Sequence, residues 1–158
     1  MMKFLRKKNR KIISGILILS WIFTVFFSNN ALGNINDDLK VYYLDVGQGD
    51  AMYIKINDYD ILIDAGPRSN VEHLMKQLEK KNIDDFEIVI ATHPHEDHIG
   101  GMTEVFDRYK IKEFYMPPVV HTTETFRSML NAIVKEGIKA KPIKEGTHFD
   151  LGDNATID

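Results

Sequence analysis

Four side chains that can bind a metal fall within six residues: His93, His95, Asp97 and His98, in the run Thr92-His93-Pro94-His95-Glu96-Asp97-His98-Ile99-Gly100-Gly101. With six His and fourteen Asp in 158 residues, chance supplies that spacing on the order of 10⁻³ times per chain. Residues two apart on an extended segment point to one side, so His93 and His95 can grip one cation. Pro94 keeps the segment out of a helix. Asp97 and His98 follow a turn, and their different direction suits a second cation. Gly100 and Gly101 would let the backbone pass close beneath the metals, and Glu96 is expected to point away, as a solvent group or one behind the ligands. Three imidazoles and a carboxylate suit zinc, with manganese or iron(II) as alternatives where more oxygen ligands join. Cysteine is absent, which excludes thiolate zinc sites, disulfides and a cysteine nucleophile.

The elements around this run must position it. Phe86 to Ala91 is a nearly continuous apolar run, as expected of a strand covered on both faces, and it delivers Thr92-His93 at its carboxyl end. Upstream, residues 41–46, 51–56 and 61–63 read as three short strands of a meander, broken by Gly47-Gln48-Gly49-Asp50 and Asn57-Asp58-Tyr59-Asp60. Ser69-x-x-Glu72 has the form of a capping box, and Val71, Leu74, Met75 and Leu78 continue with helical spacing to about Lys81. His73 lies off that stripe and reads as a solvated helix residue. Downstream come a helix over 102–109, a strand over 111–116 stopped by Pro117-Pro118, and a helix with Phe126, Met129, Leu130, Ile133 and Val134 on one stripe and Gly137 behind it. Strands at 138–143 and 155–158 complete a layered α/β or α+β architecture.

Lys3, Arg6, Lys7, Lys8, Arg10 and Lys11 precede an apolar segment, Ile12 to Phe27, and a small-residue exit, Ala31-Leu32-Gly33. This is the order of a signal peptide. Sixteen residues make about 24 Å of helix, short of a hydrocarbon core of roughly 30 Å. Residues 1–33 are therefore expected to be a cleaved export signal with Asn34 as the mature N-terminus, or else an anchor through 12–27 that holds the rest on the outer face of the membrane. Residues 34–158 would form the working domain, extracellular in either case. From Asn34 on, 14 basic residues face all 23 acidic ones, and a body that acidic does not attract polyanions through its general field, so no general nucleic-acid-binding surface is expected.

The HxHxDH run, followed by Gly-Gly after an apolar strand, resembles the signature of the metallo-β-lactamase superfamily. Asp64, in Leu62-Ile63-Asp64-Ala65-Gly66, matches that family's earlier aspartate. Leu44-Asp45-Val46-Gly47-Gln48-Gly49-Asp50-Ala51 and Gly146-Thr147-His148-Phe149-Asp150-Leu151-Gly152-Asp153, the latter a hairpin, resemble the extracellular domain of competence-type DNA-uptake proteins. The resemblance implies an αββα sandwich with two metals at the edge of its two sheets. His93 and His95 would bind the first, Asp97 and His98 the second, and Asp64 would stand behind them. It implies hydrolysis by a metal-activated water that Asp97 orients, Asp97 later returning a proton to the leaving group. Gln48, Asp50 and His121 are cleft candidates, although His121 reads first as a solvated loop residue and His148 reads poorly as a ligand.

The family completes its site with ligands from the half that follows, so residues 39–158 are expected to be an N-terminal half with an incomplete site and an unpaired sheet edge, holding closer to one metal than two. The leading function is an exported, zinc-dependent hydrolase of a small-molecule or nucleic-acid phosphodiester, complete only with the half that follows and expected to show low or absent turnover without it. An ester, lactone or β-lactam is the alternative substrate, and a metal-binding half-domain without turnover is the alternative of another class.

Overall fold

The computed structural model describes residues 39–152 and 155–157; the basic and apolar N-terminal segment lies outside them. β1 (Lys40–Tyr43), β2 (Met52–Ile56) and β3 (Tyr59–Ile63) pair as an antiparallel meander. A 3₁₀ turn (Arg68–Asn70) leads into helix α1 (Val71–Glu79), and β4 (Asp85–Ile90) returns parallel to β3. A four-residue helix α2 (Glu96–Ile99) and α3 (Met102–Arg108) connect β4 to the parallel strand β5 (Lys110–Met116). Helix α4 (Glu124–Lys135) leads to β6 (Ala140–Pro142), again parallel, so the six strands form one sheet in chain order.

Alternation along the strands divides the core between the two faces of this sheet. Tyr53, Leu62, Val89 and Phe114 pack with Leu74, Met75 and Leu78 of α1, Val105 and Phe106 of α3, and Phe126, Met129 and Ile133 of α4. Ile54, Ile61, Ile88 and Ile90 face the other way and meet Phe149 and Leu151. Phe149 belongs to a hairpin of β7 (Phe149–Asp150) and β8 (Thr156–Ile157), a second small sheet. Helix layer, large sheet and second sheet give the mixed α/β order expected from the sequence. Among the described residues no helix is long and apolar enough to cross a membrane.

Strand direction decides where the chemistry gathers. Because β1 is antiparallel to β2 and β2 to β3, the carboxyl end of β1 lies at the same sheet edge as those of β3, β4 and β5. The connections that follow those four strands, beginning at Leu44, Asp64, Ala91 and Pro117, therefore meet at one edge, the usual place for a site in a parallel sheet.

Three local expectations are corrected. The first strand ends at Tyr43, because after Leu44 N–H donates to Ala51 O at 2.9 Å the chain turns into the glycine loop, with Gly47 at φ 72°. The capping box is unused, since no side chain caps α1: Asn70 donates instead to Val46 O at 2.7 Å, and the Arg68 N–H goes to Glu96 Oε1 at 2.8 Å. Of the α4 stripe, Leu130 and Val134 are exposed, the latter 79% so, leaving a narrower buried face.

Beneath the meander, Tyr53, only 2% exposed, donates its hydroxyl to the buried Asp60 carboxylate, which also takes Lys55 Nζ at 2.7 Å. Burial first, and the Asp60 hydrogen bond second, push the Tyr53 hydroxyl far above the usual tyrosine range. The folded state thus holds this proton where an unfolded tyrosine, near pH 10, releases it. The resulting stability is fully present below about pH 10 and is lost as pH rises beyond it, at about 1.4 kcal/mol per pH unit. Tyr53→Phe should flatten the fall of the urea midpoint between pH 10 and 12, at a cost of about 1–3 kcal/mol at neutral pH from the Asp60 partner it removes. Equal slopes for the two proteins would refute the linkage.

Candidate metal centre

Asp64 anchors the site. It follows β3 directly, is 2% exposed, and holds a left-handed φ of 58° that Asp and Asn tolerate better than other side chains. Its own N–H donates to Ile90 O at 2.9 Å. Its Oδ1 accepts the Thr92 N–H at 2.8 Å, and its Oδ2 accepts the Thr92 hydroxyl and lies 2.8 Å from His98 Nδ1.

These contacts fix the histidine tautomers. A carboxylate only accepts, so His98 Nδ1 carries the proton it shares with Asp64. Thr92 has spent its single hydroxyl proton on Asp64, so the 3.0 Å contact between Thr92 Oγ1 and His93 Nδ1 must be donated by the imidazole. Both rings then present a bare Nε2, the form a metal needs. The ligand pattern in the sequence does not mark Thr92. The one available signal is a hydroxyl residue immediately before the first histidine, at the end of a buried strand.

The predicted ligands do converge. Ligand atoms of His93, His95 and Asp97 lie within 4.8 Å of one another, as do those of Asp64, His93 and His98. Asp97 thus gathers with His93 and His95, and its Oδ2 also stands 3.8 Å from His98 Nε2, so it reaches both histidine groups. The donor set is chemically suited to a divalent cation, three imidazoles with carboxylates beside them and hydrogen-bond partners behind two of the rings. His93 and His95 leave the end of β4 in extended backbone, and His95 caps α2, which carries Asp97 and His98.

Asp50 belongs to this edge, with its Oδ2 3.7 Å from His98 Nδ1, and Gln48 lines an open groove of about 500 Å³ with Pro67, Ser69, Asn70, Glu96 and Asp97. Gln77 of α1 holds the loop that carries them, exchanging bonds of 3.1 and 2.8 Å with the Asp45 backbone. Asp50 N–H donates to Asp97 O at 3.2 Å, and Gly66 N–H to Asp50 O at 2.9 Å. Glu96 is neither a ligand nor a free solvent group, because its carboxylate ties α2 to the turn before α1. Gly100 and Gly101 serve a different approach from the one expected. A Cβ on Gly100 would lie 2.3 Å from Arg68 N, and one on Gly101 would lie 2.3 Å from Ala65 O, so they let the ligand run press on the 64–68 loop. His121 sits beside His95, with ring centres 5.8 Å apart. His148 lines another groove, with Tyr59, Glu87, Lys112 and Tyr115, away from the cluster. His73 is exposed on α1.

A sandwich sheet whose strand ends carry this ligand run defines a metallohydrolase class of fold. The profile described as the Metallo-beta-lactamase superfamily matches residues 44–157, and the chain belongs to that superfamily, whose members are hydrolases. It is 35% identical over 97 residues to the hydroxyacylglutathione hydrolase of Buchnera aphidicola subsp. Schizaphis graminum, covering 61% of this chain and 35% of that protein. It is 25% identical over 137 residues to ComE operon protein 3 of Bacillus subtilis, covering 75% and 18%, and 31% identical over 110 residues to exodeoxyribonuclease YycJ of Bacillus anthracis, covering 69% and 37%. The chain therefore spans well under half the length of these relatives. MEM-A1, a subclass B3 metallo-beta-lactamase from a soil metagenome library, shares the fold at TM-score 0.51 and 16% identity, over 72% of this chain and 46% of that one.

Proposed function

We propose that this chain works outside the cytoplasmic membrane as a zinc-dependent hydrolase of a phosphodiester. The observation that carries the reading is the convergence of His93, His95, Asp97 and His98 at one sheet edge, with Asp64 fixing two of the rings. When bound, the cation supplies Lewis acidity, lowering the pKa of water and polarising the substrate's reacting oxygen. Around it, His93, His95, Asp97 and His98 would be the holding groups, and Asp97, 42% exposed on its side chain, would orient the attacking water and pass a proton onward. Phosphodiester chemistry is supported by the likeness to an exodeoxyribonuclease and to ComE operon protein 3, and by an open polar groove beside Asp97 that leaves an extended substrate room. The net acidity of the body argues for a substrate held by the metal site and not by a general basic surface. An acyl substrate is the second reading, favoured by the 35% identity to a hydroxyacylglutathione hydrolase. Export rests on the six basic residues, the apolar segment 12–27 and the Ala31-Leu32-Gly33 exit.

The test is hydrolysis of bis(p-nitrophenyl) phosphate, a lactone and a thioester by the zinc-loaded and the chelator-treated chain. Phosphodiester cleavage that is lost on chelation and reduced about 10²- to 10⁴-fold by Asp97→Asn is expected. Preference for the thioester would move the substrate to the acyl class, and zinc uptake without turnover would mark a metal-binding half-site. Recovery of the native chain in the cytosolic fraction of its host would remove the export part.

A further inference from the structure

We propose that the groove beside Asp97 is a subsite for a sugar of the substrate, whose neighbouring hydroxyls are bound by Gln48, Ser69 and Glu96. The inference rests on the phosphodiester reading above and names the group that lies next to the reacting phosphate. The open groove of about 500 Å³ is lined by Gln48, Pro67, Ser69, Asn70, Glu96 and Asp97. Asp97 also gathers with His93 and His95, so a substrate that reacts there extends directly into this space. The lining selects what can fill it. Two carboxylates and no cationic side chain face the groove, which disfavours a second phosphate. An apolar group would cover the polar tips without pairing them. An ammonium only donates, and would leave the Gln48 amide protons without an acceptor. A hydroxyl both donates and accepts. It can give its proton to Glu96 or Gln48 Oε1 and take one from Gln48 Nε2 or Ser69 Oγ, and a pair of hydroxyls on adjacent carbons uses both kinds of partner.

The walls of the groove are held while these tips stay free. On the Gln48 side, Gln77 bonds the Asp45 backbone, Asn70 Nδ2 donates to Val46 O at 2.7 Å, and Asp50 N–H donates to Asp97 O at 3.2 Å. A Cβ on Gly49 would lie 2.2 Å from Asp97 O, so the loop is pressed onto α2 immediately beside Gln48. On the Ser69 side, Glu96 Oε1 accepts the Arg68 N–H at 2.8 Å and fixes the 3₁₀ turn against α2. None of these bonds uses the side chains of Gln48 or Ser69. Both are exposed and make no hydrogen bond among the described residues, and Glu96 Oε2 takes no donor. Rigid walls that carry unpaired donors and acceptors hold a ligand with little ordering cost.

The test is ligand binding to the zinc-loaded 158-residue chain. Uridine 5′-phosphate and its 2′,3′-dideoxy analogue carry the same base and phosphate and differ only in the two hydroxyls. The ribose form should bind about 10-fold more tightly or better, as two hydrogen bonds of ordinary net strength provide. It should also shift the side-chain amide resonances of ¹⁵N-labelled Gln48, which the dideoxy form leaves in place. The double variant Gln48→Ala, Ser69→Ala should bring the two affinities together, with unchanged zinc uptake and circular dichroism. Methyl riboside added to the metal-free chain should move the same Gln48 resonances, showing that the groove reads the sugar and not the nucleotide as a whole. Equal affinities in the parent protein, or Gln48 resonances that the ribose form leaves unmoved, overturn the inference and leave the metal site standing. Tighter binding of phosphoethanolamine than of uridine 5′-phosphate assigns the groove to an ammonium and overturns it as well. Absence of zinc uptake overturns the phosphodiester reading, and the response of the metal-free chain to methyl riboside then decides the subsite by itself.

Discussion

Asp64→Asn is expected to weaken zinc binding by about 100-fold or more while leaving the fold almost as stable as before. Asn tolerates the left-handed backbone at this position as Asp does, so φ 58° and the bond from residue 64 N–H to Ile90 O survive. The introduced carbonyl must take the place of Oδ1, because turning the amide round would set its NH₂ against the Thr92 N–H, donor against donor. Its NH₂ then occupies the place of Oδ2, which in the native chain accepts from both Thr92 Oγ1 and His98 Nδ1. A donor there reverses both bonds. His98 Nδ1 becomes an acceptor and its proton moves to Nε2. Thr92, now accepting from the introduced amide, turns its hydroxyl proton towards His93 Nδ1, and that ring too carries its proton on Nε2. Two of the three imidazoles are thus locked in the tautomer that cannot bind. One such partner costs about 10- to 100-fold in affinity, and two rings are affected here, which sets the expected loss at the upper end. The stability cost stays near about 1 kcal/mol, since each hydrogen bond is replaced and not removed. Zinc titration calorimetry measures the first quantity and thermal unfolding the second. Unchanged zinc affinity would show that Asp64 does not set the tautomers.

The ligand run is legible in the sequence because its chemistry is contiguous and because a buried strand with a clear end places it. Asp64 becomes legible only through family resemblance, since a lone aspartate after an apolar triplet reads equally well as a turn residue. What the sequence hides depends on contacts between positions far apart in the chain. Gln77 meets Asp45 and Asn70 meets Val46, and neither local pattern nor periodicity carries that information. The same blindness explains the capping box. Ser69 and Glu72 have the right spacing, but the partners of that turn come from elsewhere, with Glu96 serving Arg68 N and Asn70 serving the glycine loop. Helix α2 is invisible to periodicity because four residues carry no amphipathic repeat, and its side chains read equally well as a loop. His121 is hidden for a related reason. A histidine after Pro-Pro is usually solvated, and only the parallel pairing of β4 with β5 brings its loop beside His95. Strand order, then, converts a dispersed set of polar residues into one site.

The glycine loop provides a test of that convergence at the level of backbone approach. Gly49→Ala should destabilise the chain by about 3 kcal/mol, from roughly 1–3 kcal/mol of backbone strain and a similar cost of overpacking. Gly49 has φ 145°, a conformation essentially restricted to glycine, and a Cβ there would lie 2.2 Å from the carbonyl oxygen of Asp97 and 3.0 Å from Pro67 Cδ. The carbonyl cannot move aside cheaply. Asp97 O accepts from Asp50 N–H, and the next residue's carbonyl, His98 O, accepts from Ala65 N–H at 2.7 Å. Relief must come from lifting the Gln48–Asp50 loop off the ligand run, which takes Asp50 away from His98 and opens the groove beside Asp97. At about 3–6 °C per kcal/mol, between the figures for smaller and larger domains, Tm should fall by roughly 10–20 °C. Gly137→Ala is the control, because φ there is 69° but nothing lies within 4 Å of an added Cβ, so it carries the strain of a left-handed residue without the collision, about 1 kcal/mol. A Tm for Gly49→Ala well below that of Gly137→Ala would assign the difference to the contact between the two loops. Equal values would mean that the loop yields freely, and the glycine loop would then have no part in holding Asp97 and His98 in place.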